Sequence, residues 1–281
     1  MDKQVEWIVA LALKEDIGEG DITTEAIYKG TEYVEAEIIA KEDGIIAGIE
    51  LASYIYSRLD ESIVFEPNVK DGHVIHRGQL AGVAKGPANI LLTGERTVLN
   101  FMQRMSGIAT KTHAYVKALE GTRTQILDTR KTVPGHRYLD KWAVRLGGGT
   151  NHRMRLDDRF LIKENHISVA GSISKAIDSC IRFRELKHLR DVKIEIEVKN
   201  LDELSNVIHH GGVDYVMFDN MDVLDMQTGV RMAGGRFLTE ASGNVTLDTV
   251  RDIAETGVDY ISAGALTHTV KALDLSMLFA Q

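Results

Sequence analysis

The chain is poor in four things, and each shortage narrows what it can be. It has one cysteine, Cys180, so no internal disulfide can form. With a single thiol and no secretory leader, a reducing cytoplasm is the expected setting, and Cys180 reads as a buried structural thiol. Only three prolines and no Gly/Ser-rich linker argue for compact packing throughout. No apolar run approaches the roughly 18–20 residues of a membrane span. Positive charge is also in deficit, with 33 Lys and Arg against 41 Asp and Glu, a net of −8. Such a chain makes a poor general surface for nucleic acid or an anionic membrane, so neither partner is expected.

What is present is a patterned α/β sequence. Its 281 residues can bury a sizeable core in one large or two modest domains. Val5, Ile8, Val9, Ala12 and Leu13 share one helical face, and Gly18-Glu-Gly20 ends that helix. Residues 33–93 read as a small mixed α/β domain: a strand at Val34–Ile38, turns at Asp43-Gly44 and Asp71-Gly72, and a helix from Gly48 to Leu59. A long helix is predicted from about Glu95, with Gly107 as a candidate break.

Beyond it, short apolar strands alternate with helices. The strand candidates are Ile126–Asp128, Phe160–Ile162, Ile194–Val198, Tyr215–Phe218, Phe237–Thr239 and Tyr260–Ser262. This alternation predicts a parallel sheet. Just after the strands stand Thr129, Arg130, Lys131, Lys163, Lys199, Asp219, Ser242, Gly243 and Gly264. In a β/α barrel the carboxyl ends of the strands converge on one face, where reacting groups gather. About 165 residues is short for eight βα units, so a reduced or open barrel is expected.

A basic cluster in an acidic chain needs a reason. Arg130 and Arg153 can each grip a carboxylate or phosphate with a planar fork, while Lys131 and Lys163 supply point charges and His152 a hydrogen bond. Together they suit a small, multiply negative substrate. Arg96 falls in the expected first turn of its helix, where the macrodipole disfavours a cation, so it is either exposed or shares the helix start with an anion. Glu195 and Glu197 share one strand face, and Glu197 should lie beside Asp219. That carboxylate pair suits Mg²⁺ or ribose hydroxyls, with salt bridges to the basic set as the alternative. No His or Cys grouping has zinc spacing. Glu240-Ala-Ser-Gly-Asn244 and Ser262-Ala-Gly-Ala265 read as loops whose backbone N–H groups can cradle a phosphate.

At these residues the sequence closely resembles the quinolinate phosphoribosyltransferase family. The likeness runs nearly end to end. It includes Glu15-Asp-Ile-Gly-Glu-Gly-Asp-Ile-Thr-Thr24, Gly94-Glu-Arg-Thr-Val-Leu-Asn100, Ser106-Gly-Ile-Ala-Thr110, the strand-end motifs and Gly264-Ala-Leu-Thr-His268. The resemblance implies an α/β fold: an open seven-stranded α/β barrel over residues 105–268, with an N-terminal α/β sandwich domain over 1–104 joined by the C-terminal tail 269–281. It implies a homodimer, or a higher oligomer, whose sites are shared through the partner's Arg96.

Carried over, Arg96, Thr129, Arg130, His152, Arg153 and Lys163 would surround the quinolinate carboxylates, with Lys131 near the pyrophosphate of phosphoribosyl pyrophosphate. Glu197 and Asp219 would serve the ribose and Mg²⁺, directly or through water. Ser242, Gly243, Asn244, Ser262 and Gly264 would form the 5′-phosphate cradle. Lys131, Lys163, Glu197 and Asp219 are the implied catalytic set, with no organic cofactor. The chain departs from the family pattern at Arg155 and Lys199, where a small residue and an acidic or neutral residue are more usual.

Three rival readings stand beside this one. Lys163 at a strand end could be a Schiff-base lysine. A phosphoribosyltransferase-like protein of molybdenum metabolism could share the motifs without the substrate. Val69–Leu80 faintly resembles a lipoyl or biotinyl carrier hairpin, but shows no clear modifiable lysine at a turn.

Overall fold

The structure is a computed structural model that describes residues 1–28, 30 and 32–279. In chain order its elements begin with α1 (Lys3–Ile17), α2 (Ile22–Ile27), β1 (Tyr33–Ala40), β2 (Gly44–Ile45), α3 (Ile49–Leu59), β3 (Val64–Pro67), β4 (Val74–Ile75) and β5 (Leu80–Pro87). Then come α4 (Ala88–Ala118), β6 (Gln125–Leu127), α5 (Arg137–Leu146), β7 (Arg159–Ile162), α6 (Glu164–Ala170), α7 (Ile173–Leu186), β8 (Lys193–Val198) and α8 (Leu201–His210). The last are β9 (Tyr215–Asp219), α9 (Val223–Ala233), β10 (Leu238–Ser242), α10 (Val250–Glu255), β11 (Tyr260–Ser262), α11 (Ala265–His268) and β12 (Leu275–Phe279). The chain forms two compact units, Met1–His113 with Thr132–Gly148 and Leu266–Gln281, and Ala114–Lys131 with Gly149–Ala265.

The first unit carries an antiparallel sheet in the order β12-β1-β5-β3. In β1 the alternate residues Ala36, Ile38 and Ala40 are buried, and α3 adds Leu51, Ala52, Ile55 and Tyr56 to the core. Tyr56 packs on Phe65 of β3 with ring centroids 5.7 Å apart. The C-terminal strand β12 closes one edge by pairing with β1, Ala40 opposite Leu275. Asp71 caps the start of α3 by accepting from the N–H groups of Ile49 and Glu50, at 3.0 and 3.1 Å. The 69–80 stretch is therefore scaffold: it caps α3, and its β4 pairs with β2.

One expectation fails here. Helix α4 begins at Ala88, directly after Pro87, and not near Glu95. Gly94 and Gly107 both lie within it. A Cβ at Gly94 would sit 2.3 Å from Leu59 Cδ1, and one at Gly107 would sit 2.2 Å from the Lys271 carbonyl. These glycines mark close approaches of neighbouring segments, which a sequence reading mistakes for a helix start and a break. Arg96 is thus eight residues inside the helix (96 − 88), and the argument from an unfavourable macrodipole falls away.

The second unit is a parallel sheet in the order β6-β11-β10-β9-β8-β7. One more parallel bridge, Leu127 to Thr150, adds a seventh position beyond β6, held by Thr150 N–H donating to the Ile126 carbonyl at 2.9 Å. Among the described residues β7 pairs only with β8, so the barrel is open, as expected. Ile194, Ile196, Val198, Val216, Phe218, Ala241 and Ile261 are buried on one face of the sheet. The opposite face carries Glu195, Glu197, Tyr215, Asp219, Glu240, Ser242, Tyr260 and Ser262. Parallel strands covered on both sides usually read as unbroken apolar runs. Here they alternate because the interior is polar.

Strand β10 shows the cost of that alternation to sequence reading. It runs Leu238–Ser242, beyond the expected 237–239, so Glu240 and Ser242 are strand residues facing inward and not part of a loop. A glutamate followed by small residues resembles a turn when the buried partner of its carboxylate is unknown.

Candidate active site

The carboxyl ends of the parallel strands place most of the expected groups. After β6, Thr129 Oγ1 accepts the N–H of Lys131 at 3.0 Å, a tight local turn that exposes Arg130 and Lys131. Arg153 is half-buried, and its Nη1 donates to the Arg159 carbonyl at 3.1 Å. Burial lowers the Arg153 pKa, and the charge of Arg130 lowers it further, so the two guanidinium groups share one neighbourhood. After β7, the N–H of Lys163 donates to His166 Nδ1 at 2.9 Å, pinning the start of α6, and the Lys163 ammonium pairs with Glu197.

Glu197 and Asp219 line one cavity of about 180 Å³, together with Glu164, Lys199 and Glu203. Lys199 pairs with Glu164 across it. The pairing of Lys163 with Glu197 realises the salt-bridge alternative for that carboxylate.

The loop after β10 is built for close approach. Gly243 has φ +101°, and a Cβ there would lie 2.2 Å from Asn220 Oδ1. Asn220, itself at φ +53°, donates its N–H to the Ser242 carbonyl at 2.9 Å and accepts from Asn244 Nδ2 at 3.1 Å. Asn220 therefore stitches the loops after β9 and β10 together. Sequence reading noted its strand-end position and missed that task. Gly264 follows β11, whereas Ser262 is buried with its hydroxyl beside Glu240, inside the sheet and below the loops.

His152 also lies deeper than expected. It is buried, with Nε2 3.1 Å from Glu195 Oε2 and 3.6 Å from Glu240 Oε2. Glu195 pairs with Arg159 at 3.2 Å, and the Arg159 guanidinium lies 4.4 Å from the Tyr215 ring centroid. Burial pushes the Glu195 carboxyl up, but His152 and Arg159 reverse this and hold it below the ordinary range. Burial, and then the Glu195 charge, drive Glu240 well above it, favouring its protonated form. No metal-ligand spacing in sequence announced this grouping, because its members come from three separate segments. Arg96 is placed in the first unit, on α4, exposed and 3.5 Å from Glu95.

Comparison with known proteins decides the family. The domain described as "Quinolinate phosphoribosyl transferase, C-terminal domain" matches residues 108–278, and the N-terminal domain of the same name matches residues 21–106. The chain belongs to the quinolinate phosphoribosyltransferase family. It is 46% identical over 285 aligned positions to quinolinate phosphoribosyltransferase [decarboxylating] 1b of Nicotiana tabacum, spanning 96% of this chain and 81% of that protein. It is 44% identical to the probable nicotinate-nucleotide pyrophosphorylase [carboxylating] of Bacillus subtilis, over 94% of this chain and 89% of the relative. The fold superimposes on the nicotinate-nucleotide pyrophosphorylase of Francisella tularensis with a TM-score of 0.92 at 40% identity, covering 99% and 96% of the two chains. Among the described residues, no helix is long and apolar enough to cross a membrane.

Proposed function

We propose that the protein transfers the phosphoribosyl group of phosphoribosyl pyrophosphate to quinolinate, giving nicotinate mononucleotide, CO₂ and pyrophosphate in de novo NAD biosynthesis. One observation carries the reading beyond family membership. The Arg130–Arg153 pair and the Glu197–Asp219 cavity stand at the carboxyl ends of the same parallel sheet. A diacid needs the first, and a ribosyl pyrophosphate needs the second. The ion pairing of Lys163 with Glu197 favours this over a Schiff-base lysine, which needs an uncommitted amine.

In this reading Thr129, Arg130, Arg153 and Lys163 hold the two carboxylates, turning an encounter between two molecules into a positioned one. The pyridine nitrogen attacks the anomeric carbon, and the bond to pyrophosphate breaks as the new N–C bond forms. Lys131 meets the departing pyrophosphate. Gly243, Asn244 and Gly264 present backbone N–H groups to the 5′-phosphate, with Ser242 and Ser262 supporting them from the strand ends below. Glu197 and Asp219 are hard oxygen donors lining one cavity, a set that fits Mg²⁺, which would neutralise charge on the leaving pyrophosphate. Once alkylated, the ring nitrogen is cationic and accepts the electron pair left at C2 when CO₂ departs. C2 then takes a proton, and no organic cofactor is needed.

The same reading makes the protein a homodimer with shared sites, to which the partner copy brings Arg96. Exposed apolar side chains support a covered face: Trp7 on α1 is 61% exposed, and Ile22 and Ile27 on α2 are 80% and 72% exposed. A lone thiol fits a cytoplasmic setting.

The test is direct. Purified protein with both substrates and Mg²⁺ should form nicotinate mononucleotide and CO₂ in equal amounts, and absence of product would overturn the reading. Arg130→Ala and Lys163→Ala should each lower turnover by at least roughly a hundredfold, the usual effect of losing a preorganised electrostatic partner. Mixing Arg96→Ala chains with Lys163→Ala chains should recover part of the activity if sites are shared.

A further inference from the structure

The reaction as proposed leaves the buried His152–Glu195–Glu240 cluster without a task. One ligand atom of each lies within 4.8 Å of the others, and all three residues are buried. Carboxylates so placed are costly unless paired, so the arrangement needs a reason.

The bond at the other side of the imidazole supplies one. The backbone N–H of Arg153 donates to His152 Nδ1 at 2.7 Å. A nitrogen that accepts this bond carries no proton. Nδ1 is thus taken by the backbone, while Nε2 lies 3.1 Å from Glu195 Oε2 on the other side of the ring. The backbone of residue 152 is tied as well, its N–H donating to Asp128 Oδ1 at 2.9 Å. Both ring nitrogens face protein groups. The far end of Arg153 leads back to the same place. Its Nη1 donates to the carbonyl of Arg159, whose guanidinium is held by Glu195. Two arms, one through His152 and one through Arg159, thus run from Glu195 to the two ends of Arg153.

We propose that Glu195, with Glu240 against it, anchors a buried positioning relay through His152 and Arg159 that sets the Arg153 guanidinium for its carboxylate. This deepens the reading of function above and rests on it. His152 becomes a positioning residue, in place of the substrate contact implied by the family resemblance. Glu240, favoured in its protonated form, sits against Glu195 without adding a second buried negative charge.

The experiment uses the full-length enzyme. His152→Asn keeps an acceptor for the Arg153 N–H and loses the reach to Glu195. His152→Gln does the reverse. Glu195→Gln keeps the shape and removes the charge. Each should raise the KM for quinolinate roughly tenfold while the KM for phosphoribosyl pyrophosphate stays within about twofold. The His152→Gln variant should be the worse of the two histidine variants, because it leaves the Arg153 N–H without its acceptor. A direct contact through Nε2 predicts the opposite order. The double variant H152N/E195Q should be no worse than Glu195→Gln alone, since removing the charge at Glu195 already releases the arm through His152.

Additive losses in the double variant, parallel shifts in both KM values, or His152→Gln outperforming His152→Asn would each overturn the relay. So would an equivalent of tightly bound metal that is lost in His152→Asn. If Glu195→Gln fails to fold, the order of the two histidine variants still decides. Wild-type protein that forms no product would instead count against the proposed reaction.

Discussion

Glu195 and Glu197 leave one strand in the same direction, two residues apart, and meet different solvents. Glu195 is sealed, its carboxylate between His152 and Arg159, whereas Glu197 lines the cavity, 14% exposed, against a Lys163 that is 46% exposed. A charge in the first setting stays only if its partners replace water, so its loss is felt by the fold. A charge in the second can exchange partners at little cost, which is what binding a substrate requires. One register step along β8 therefore separates a group that builds the site from a group that works in it.

The sharpest way to break that contrast is to remove each carboxylate in turn. Glu195→Ala leaves His152 and Arg159 facing a buried gap, and should cost about 3–5 kcal/mol of unfolding free energy. Glu197→Ala removes a pair near the surface and should change stability by no more than about 1 kcal/mol, while reducing turnover severely. Urea unfolding alongside steady-state kinetics measures both. Equal stability losses would mean that the two positions are not the different environments described.

The contrast also explains what the sequence could reveal. The strand ends were legible because cations after apolar runs are conspicuous in a chain of net charge −8, and Arg130, Lys163, Asp219 and Gly243 all stand at carboxyl ends. The interior was not. Glu195, Glu240 and His152 meet only through the closure of non-adjacent strands, and Arg159, at the first residue of β7, gave no sign that it faces inward. The start of α4 was misplaced for a related reason, since Gly94 answers to Leu59, far away in sequence. Local pattern shows where a charge leaves the backbone. It does not show which buried charge it meets.

A second test sharpens the boundary from the loop side. Gly243 is held at φ +101° with Asn220 filling the space a side chain would need. Gly243→Ala must either strain the backbone or displace Asn220, a cost of about 1–3 kcal/mol. If the loop cradles the 5′-phosphate, most of that cost should appear as a higher KM for phosphoribosyl pyrophosphate, with the quinolinate KM little changed. A shift in quinolinate alone would move the cradle elsewhere.

The smallest expected effect concerns the deepest group. Burial and the neighbouring Glu195 raise the Glu240 pKa above its ordinary 4.5. A group whose pKa is higher folded than unfolded contributes stability that is full below the unfolded value and is lost as pH rises through the folded one. Glutamine does not titrate, so Glu240→Gln removes this loss while keeping the shape. Thermal midpoints of the two proteins should therefore diverge in favour of Glu240→Gln over the pH range above the ordinary carboxylate value, wild type falling relative to the variant as pH rises. A constant difference across that range would mean that Glu240 ionises alike in the folded and unfolded chains. The interior would then tolerate two adjacent negative charges, and the distinction between sealed and open carboxylates would lose its physical basis.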